Sequence, residues 1–216
     1  MNVAESVKFF LPELILAASA VTVLIAGLFI KKRAVLGAFC LAAILLSILY
    51  MPHSYEAAGP LFSGMLLNDT FSEFFKEISL LVVGLVILVS LGYRPFSDED
   101  AGEYYFLLLA AAVAMMVAAS SNDLMMIYIS LEAISLVSYM LTAFLKRNPL
   151  SSEAALKYFL FGALATGVML YGISFIYGLF GTTGLSAISG AINAGGANSL
   201  AAAVALLMVF AGLSFK

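Results

Sequence analysis

Glu132 is the residue of this chain that most needs a chemical reason. It lies 9 residues beyond Asp123 and 13 before Leu145, in a run with no other charge. If that run is a spanning helix, its 1.5 Å rise per residue puts the carboxyl near mid-membrane. A carboxyl at that depth cannot snorkel. It must face the protein interior, meet a cation or hold its proton, and such intramembrane acids usually mark ion paths. Tyr128, Ser135, Tyr139 and Thr142 share its helix face at spacings of 4, 3, 4 and 3, a hydroxyl stripe able to hold water. The bland alternative is a structural carboxyl bonded to a neighbouring helix.

Two lysines raise the same question. Lys157 falls eight residues after Pro149, roughly 12 Å along a helix. Glu153 precedes it by four residues, the favoured order for a surface ion pair, and its long stem could snorkel, so structural and functional readings stand level. Lys216 ends an apolar run, where an interfacial stop-transfer role competes with a buried one. Other polar residues have simpler roles. Glu13, near a helix start, reads as interfacial or dipole-stabilised, Asp123 as a helix cap, and Glu73 with Lys76 as an i,i+3 pair. His53 reads as a solvated loop residue. The cluster of Gly162, Ala163, Thr166 and Gly167 reads as helix packing rather than a phosphate loop.

The elements that must position these groups are membrane helices. Of 216 residues, 63% are hydrophobic and only 11% charged, with a mean hydropathy of +1.09, far from a soluble domain. Soluble nucleotide-binding and secreted classes are excluded. A net charge of -3 offers no basic surplus for nucleic acid. One cysteine, Cys40, and one histidine leave no ligand set for haem, an iron–sulfur cluster or zinc, so redox chemistry belongs to other chains.

Apolar runs predict an all-α integral membrane fold of about seven spans. The first covers 9–30 and is followed, not preceded, by Lys31, Lys32 and Arg33, which marks an uncleaved helix rather than a secretory signal. The second covers 34–51. Residues 52–70 carry Pro52, Glu56, Gly59, Pro60, Gly64 and Asp69 and read as a polar loop or short hairpin. The third span runs from Phe71 to Tyr93, and 94–103 breaks the pattern. Residues 104–145 are twice one span, split at 120–123. Asn148 and Pro149 are a favoured N-cap and first helical residue for a helix reaching about Phe180. Residues 181–198, rich in Gly, Ala, Ser and Thr, cannot form one straight helix, and a last span begins near Ser199. The organisation is therefore 1–103, three helices with a polar loop at 52–70, and 104–216, four more. Alternating spans place Lys31, Lys32, Arg33, Arg94, Lys146 and Arg147 on one side, the cytoplasm, with the N-terminus outside.

The run from Asn122-Asp123-Leu124 through Leu131-Glu132-Ala133 to Tyr139 and Phe144 resembles a signature shared by the antiporter-like subunits of respiratory complex I and the Mrp cation/proton antiporters. Ser152-Glu153-Ala154-Ala155-Leu156-Lys157-Tyr158-Phe159, Leu170-Tyr171-Gly172, Tyr177-Gly178 and the opening Leu11-Pro12-Glu13-Leu14 are more specific. They resemble the N-subunit family of bacterial NADH:quinone oxidoreductase. The resemblance implies a fourteen-helix proton-translocating subunit with two inverted five-helix repeats, of which this chain would be the N-terminal half, ending inside the first repeat as a fragment, split gene product or truncated form. It implies proton-transfer roles for a glutamate at Glu132, a relay lysine at Lys157 and a broken-helix lysine at Lys216.

It also implies the inner membrane of a bacterium, no cofactor in this chain, and NADH, FMN, iron–sulfur clusters and quinone in partner subunits. The partners would be other antiporter-like and small membrane subunits. An Mrp-type antiporter or hydrogenase membrane-arm subunit is the alternative transporter reading, and a membrane anchor without transport the structural one. Residue counting puts Lys216, 17 residues past Ser199, nearer the cytoplasm than Glu132. A break or tilt would have to bring them level.

Overall fold

The computed structural model describes residues 3–51, 59–92, 97–195 and 199–216. The expectations for His53 and Arg94 lie outside the described residues. The chain is almost wholly helical: α1 (Val3–Phe9), α2 (Leu11–Phe29), α3 (Arg33–Tyr50), α4 (Thr70–Gly92), α5 (Ala101–Ser120), α6 (Leu124–Thr142), α7 (Pro149–Phe180), α8 (Leu185–Asn193) and α9 (Ser199–Phe215). Six helices are long and apolar enough to cross a membrane, joined by the shorter apolar Leu200–Phe215, in keeping with the seven expected spans.

Local signals set the helix ends. Asn148 accepts from the Leu150 N–H at 3.0 Å with Pro149 in the first turn, and Asp123 accepts from the Met125 N–H at 2.8 Å. α7 closes on Gly181 in the left-handed conformation, where a side chain would be strained. The Gly-rich stretch after it holds the short α8 rather than a continuous helix, as its composition requires. The polar loop becomes a small antiparallel hairpin of β1 (Gly59–Leu61) and β2 (Leu66–Asn68).

Two cores result. The first joins α2, α3, α4 and α5 through Leu16, Val23, Leu36, Ile44, Leu80 and Tyr105. Here α2 and α5 cross with no room for side chains, since a Cβ on Gly27 would lie 2.7 Å from Gly102 Cα. The second joins α7 and α9 around Met169, Ile173, Ala205 and Val209, with Leu124 of α6 against them. Lipid tails are as apolar as leucine, so close approach through small residues, not hydrophobicity, holds such helices together. Gly172 and Gly212 are the notches: a Cβ on Gly172 would lie 2.8 Å from Ala205 O, and one on Gly212 2.8 Å from Ala165 O. Gly212→Leu should therefore force α9 away from α7 and reduce any activity that depends on their register several-fold. Gly178→Leu, in open space on α7, should leave it near wild type, and activity of the two variants in membranes makes the comparison.

The bundle has two distinct ends. At one, ion pairs join the helix termini: Arg33 with Asp98 at 3.2 Å, Lys146 with Glu103 at 3.1 Å, and Lys31 with Glu99. At the other, the α5–α6 turn is stitched on both sides. Asn122 donates its N–H to Met65 O (2.9 Å) and its Nδ2 to Gly64 O (3.1 Å), binding the hairpin. Leu124 N–H donates to Thr183 O (2.9 Å), Leu185 N–H to Asn122 O (3.3 Å), and the Thr183 hydroxyl to Asp123 Oδ2 (2.6 Å), binding the α7–α8 linker.

Candidate functional site

The Asp123 cap fixes where α6 starts and hence the height of Glu132. At that level three elements converge. Lys216 Nζ donates to Glu132 Oε2 at 2.8 Å and to Ser135 Oγ at 2.6 Å, and Thr166 Oγ1 of α7 donates to Glu132 Oε2 at 2.9 Å. The lysine side chain is only 8% exposed and that of Glu132 24%. A buried charge pair is favourable only when further hydrogen bonds satisfy its spare groups, and Ser135 and Thr166 supply them.

Lys216 follows directly on Phe215, the last residue of α9, and its N–H still bonds Leu213 O at 3.1 Å. The discrepancy in depth is resolved by side-chain direction. A helical Cα–Cβ bond points back toward the helix start, so the four-carbon stem carries the ammonium to the gap between Ser135 and Glu132.

Lys157 is not brought to this pair. It forms the Glu153 ion pair with its side chain 66% exposed. At about 100° per residue it projects from the far flank of α7 relative to Ala155, Gly162 and Thr166, which are buried. Of the three residues that the resemblance assigns to proton transfer, two meet and one stands apart.

A second buried ion pair was missed. Glu13 is fully buried rather than interfacial: its Oε1 lies 2.8 Å from Lys76 Nζ, and the lysine side chain is 4% exposed. Lys76 thus reaches across from α4 to α2 rather than only along its own helix to Glu73, which is itself buried. The signal was present as periodicity. Glu13 leads the buried stripe Leu16, Ala20 and Val23, and Glu73 with Lys76 leads Leu80, Val83 and Ile87. Reading each acid against its nearest helix end hid that both charges continue an inward face.

Among the described residues no group of three or more His, Cys, Asp or Glu side chains could hold a metal, and Cys40 is buried as a free thiol.

A bundle of apolar helices enclosing a carboxylate–ammonium pair is the architecture of an integral membrane protein with charge buried between its spans. Residues 121–216 match the family model described as NADH:quinone oxidoreductase/Mrp antiporter, TM. The chain is 39% identical to NADH-quinone oxidoreductase subunit N of Chlorobium chlorochromatii over 98% of its own length and 42% of that protein's. It is 40% identical to NAD(P)H-quinone oxidoreductase subunit 2 of Trichormus variabilis over 95% of this chain and 41% of that one. Respiratory complex I from Thermus thermophilus with bound aureothin contains a chain that superposes with a TM-score of 0.75 at 28% identity, covering 94% of this chain and 43% of that one. The membrane-bound sulfane sulfur reductase, an archaeal respiratory membrane complex, shares the fold, with a TM-score of 0.81 at 20% identity over 97% of this chain and 44% of that one. Over 95–98% of its length the chain is similar, at 36–40% identity, to subunit N and subunit 2 proteins of NADH-quinone and NAD(P)H-quinone oxidoreductases, and it spans less than half the length of these curated relatives.

Proposed function

We propose that this chain is part of a proton-translocating subunit of NADH:quinone oxidoreductase in a bacterial inner membrane, working alongside other membrane subunits that flank it and partner subunits that carry the redox cofactors. The observation that carries this reading is the Lys216–Glu132 ion pair with its Ser135 and Thr166 supports. While the charges touch, each keeps the other ionised. When they are drawn apart in a low-dielectric interior, the carboxylate gains from taking up a proton and the ammonium from giving one up. A conformational or electrostatic pull that separates them thus becomes proton movement. Glu132 and Lys216 are the coupled proton-transfer groups in this reading, and Lys157 is a relay reached from outside the pair. Residues 104–216 form an incomplete first antiporter-like repeat in this reading, with α5 as the helix by which it packs on 1–103. The central test is proton pumping by the assembled complex carrying Glu132→Gln. Loss of pumping supports the reading, and full pumping removes it.

An Mrp-type antiporter is the competing member of the same matched family. The relatives at 36–40% identity are quinone oxidoreductase subunits, which favours the first reading.

For orientation, we place the end carrying Lys31, Asp98 and Lys146 in the cytoplasm and the hairpin end outside. Lys31→Cys and Met65→Cys, both at exposed positions, should react with an impermeant thiol reagent from opposite membrane sides. Reaction of both from one side would refute the placement.

A further inference from the structure

The Tyr139 hydroxyl has a place in the path that its surroundings alone do not explain. The side chain is 7% exposed, yet its Oη makes no well-formed hydrogen bond among the described residues, with Ser135 the side chain that acts on it as a hydrogen-bonding group. A buried phenol ordinarily finds one, because leaving it unmade costs about 1–3 kcal/mol. Its ring is held firmly, edge-on to Tyr158 at 4.7 Å and to Phe159 at 5.7 Å between centroids. The hydroxyl enters a notch on α7 that exists because residue 162 is glycine: a Cβ there would overlap Oη.

The notch has a definite position. Gly162 is one helical turn from Thr166, the residue that donates to Glu132, and Tyr139 is one turn from Ser135, the residue that accepts from Lys216. Tyr139 Oη therefore lies about one turn, roughly 6 Å, from the ion pair, on the side of the turn at 143–148. Ser135 acts on it as a hydrogen-bonding side chain, and Glu132 and Tyr158 act on it electrostatically. A gap of that size is spanned through Ser135, which accepts from Lys216, or through one water, rather than by a direct bond to the pair. Beyond Tyr139 the same face continues to Thr142, whose carbonyl accepts from Ser151 Oγ of α7 at 2.6 Å, closing α6 against α7 near the bundle end.

We infer that Tyr139 is a proton-relay residue connecting the 143–148 end of the bundle to the Lys216–Glu132 pair, with Gly162 as the notch that admits its hydroxyl. The inference rests on the proton-transfer reading of that pair. In the step, a protonated water on the turn side gives its excess proton to an Oη lone pair as the phenolic O–H gives its own proton to a water on the other side, which passes it to the Glu132 carboxylate once Lys216 has been drawn away. One O–H bond forms, one breaks, and the phenol is neutral before and after. This route runs along the α6–α7 seam and does not pass through Lys157, which faces away from it.

The test is Tyr139→Phe in the assembled, membrane-embedded complex, measured beside Glu132→Gln. Phenylalanine keeps the ring contacts and removes only the hydroxyl. The expected result is coupled quinone reduction and proton pumping slower by about threefold or more, a larger solvent deuterium isotope effect, and unchanged NADH oxidation by an artificial water-soluble acceptor. Wild-type pumping and isotope effect in Tyr139→Phe, with pumping lost in Glu132→Gln, would overturn the relay alone. Wild-type pumping in both variants would overturn the reading of the ion pair as well. If Tyr139→Phe fails to assemble, 3-fluorotyrosine at position 139 preserves the shape and alters the acidity of the phenol. A changed isotope effect then supports the relay, and an unchanged one overturns it.

Discussion

Replacing Glu132 by alanine in the assembled complex is expected to lower proton pumping and coupled quinone reduction by at least about tenfold, the scale of losing a positioned proton-transfer group. Electron transfer from NADH to an artificial water-soluble acceptor should survive, because in the proposed role the redox centres lie in partner subunits. Three substitutions separate charge from shape. Glu132→Asp retains a titratable carboxyl but withdraws it by one methylene from Lys216 Nζ and Thr166 Oγ1, now at 2.8 and 2.9 Å, and should keep part of the activity. Glu132→Gln preserves the hydrogen bond from Thr166 but neither charge nor titration, and leaves Lys216, 8% exposed, without its counter-ion. Gln should therefore behave like Ala. Parallel measurements of pumping, quinone reduction and artificial-acceptor turnover in membranes of equal complex content decide the order. A Gln variant that pumps fully would make Glu132 a hydrogen-bonding strut.

The second large effect concerns stability. Lys76→Met should destabilise the α2–α4 contact by about 3–5 kcal/mol, the usual cost of stranding one partner of a buried ion pair. Glu13 would lie at zero exposure with the cation 2.8 Å away removed, and the buried Glu73 lies on the same helix as Lys76. Pairing Lys76→Met with Glu13→Gln should recover most of the loss, since no lone charge faces Lys76 from α2. Thermal unfolding and protease resistance of the two single variants and the double variant in membranes form a cycle. Additive losses would show that the two residues do not act on one another.

The helices were legible because each span is a long apolar run punctuated by charge, proline or a capping residue, and the bilayer permits little else. Glu132 was legible for a related reason: a carboxyl nine residues into such a run has no surface to reach. Its partner was less so. Lys216 seemed misplaced when each residue was counted as a point on its helix, and only the reach of a lysine stem closes the gap. Glu13 was misread, and its pairing with Lys76 went unseen, because a charge near a helix end has a ready local explanation and nothing local says that another helix covers it. Which helices pack together depends on small-residue notches such as Gly27 against Gly102, and one sequence does not announce which notch meets which.

The stitched turn at Asn122 and Asp123 decides which half of the charge pair can move. Sliding α6 along its axis would tear it from the hairpin on one flank and from the α7–α8 linker on the other, so Glu132 is the fixed electrode. α9, by contrast, is held to α7 through the close approach at Gly172 and Gly212. If the proposed separation of the pair occurs, the lysine is the contact arm: Lys216 at the end of α9 is the half free to withdraw, with Glu132 as the stationary reference beneath it.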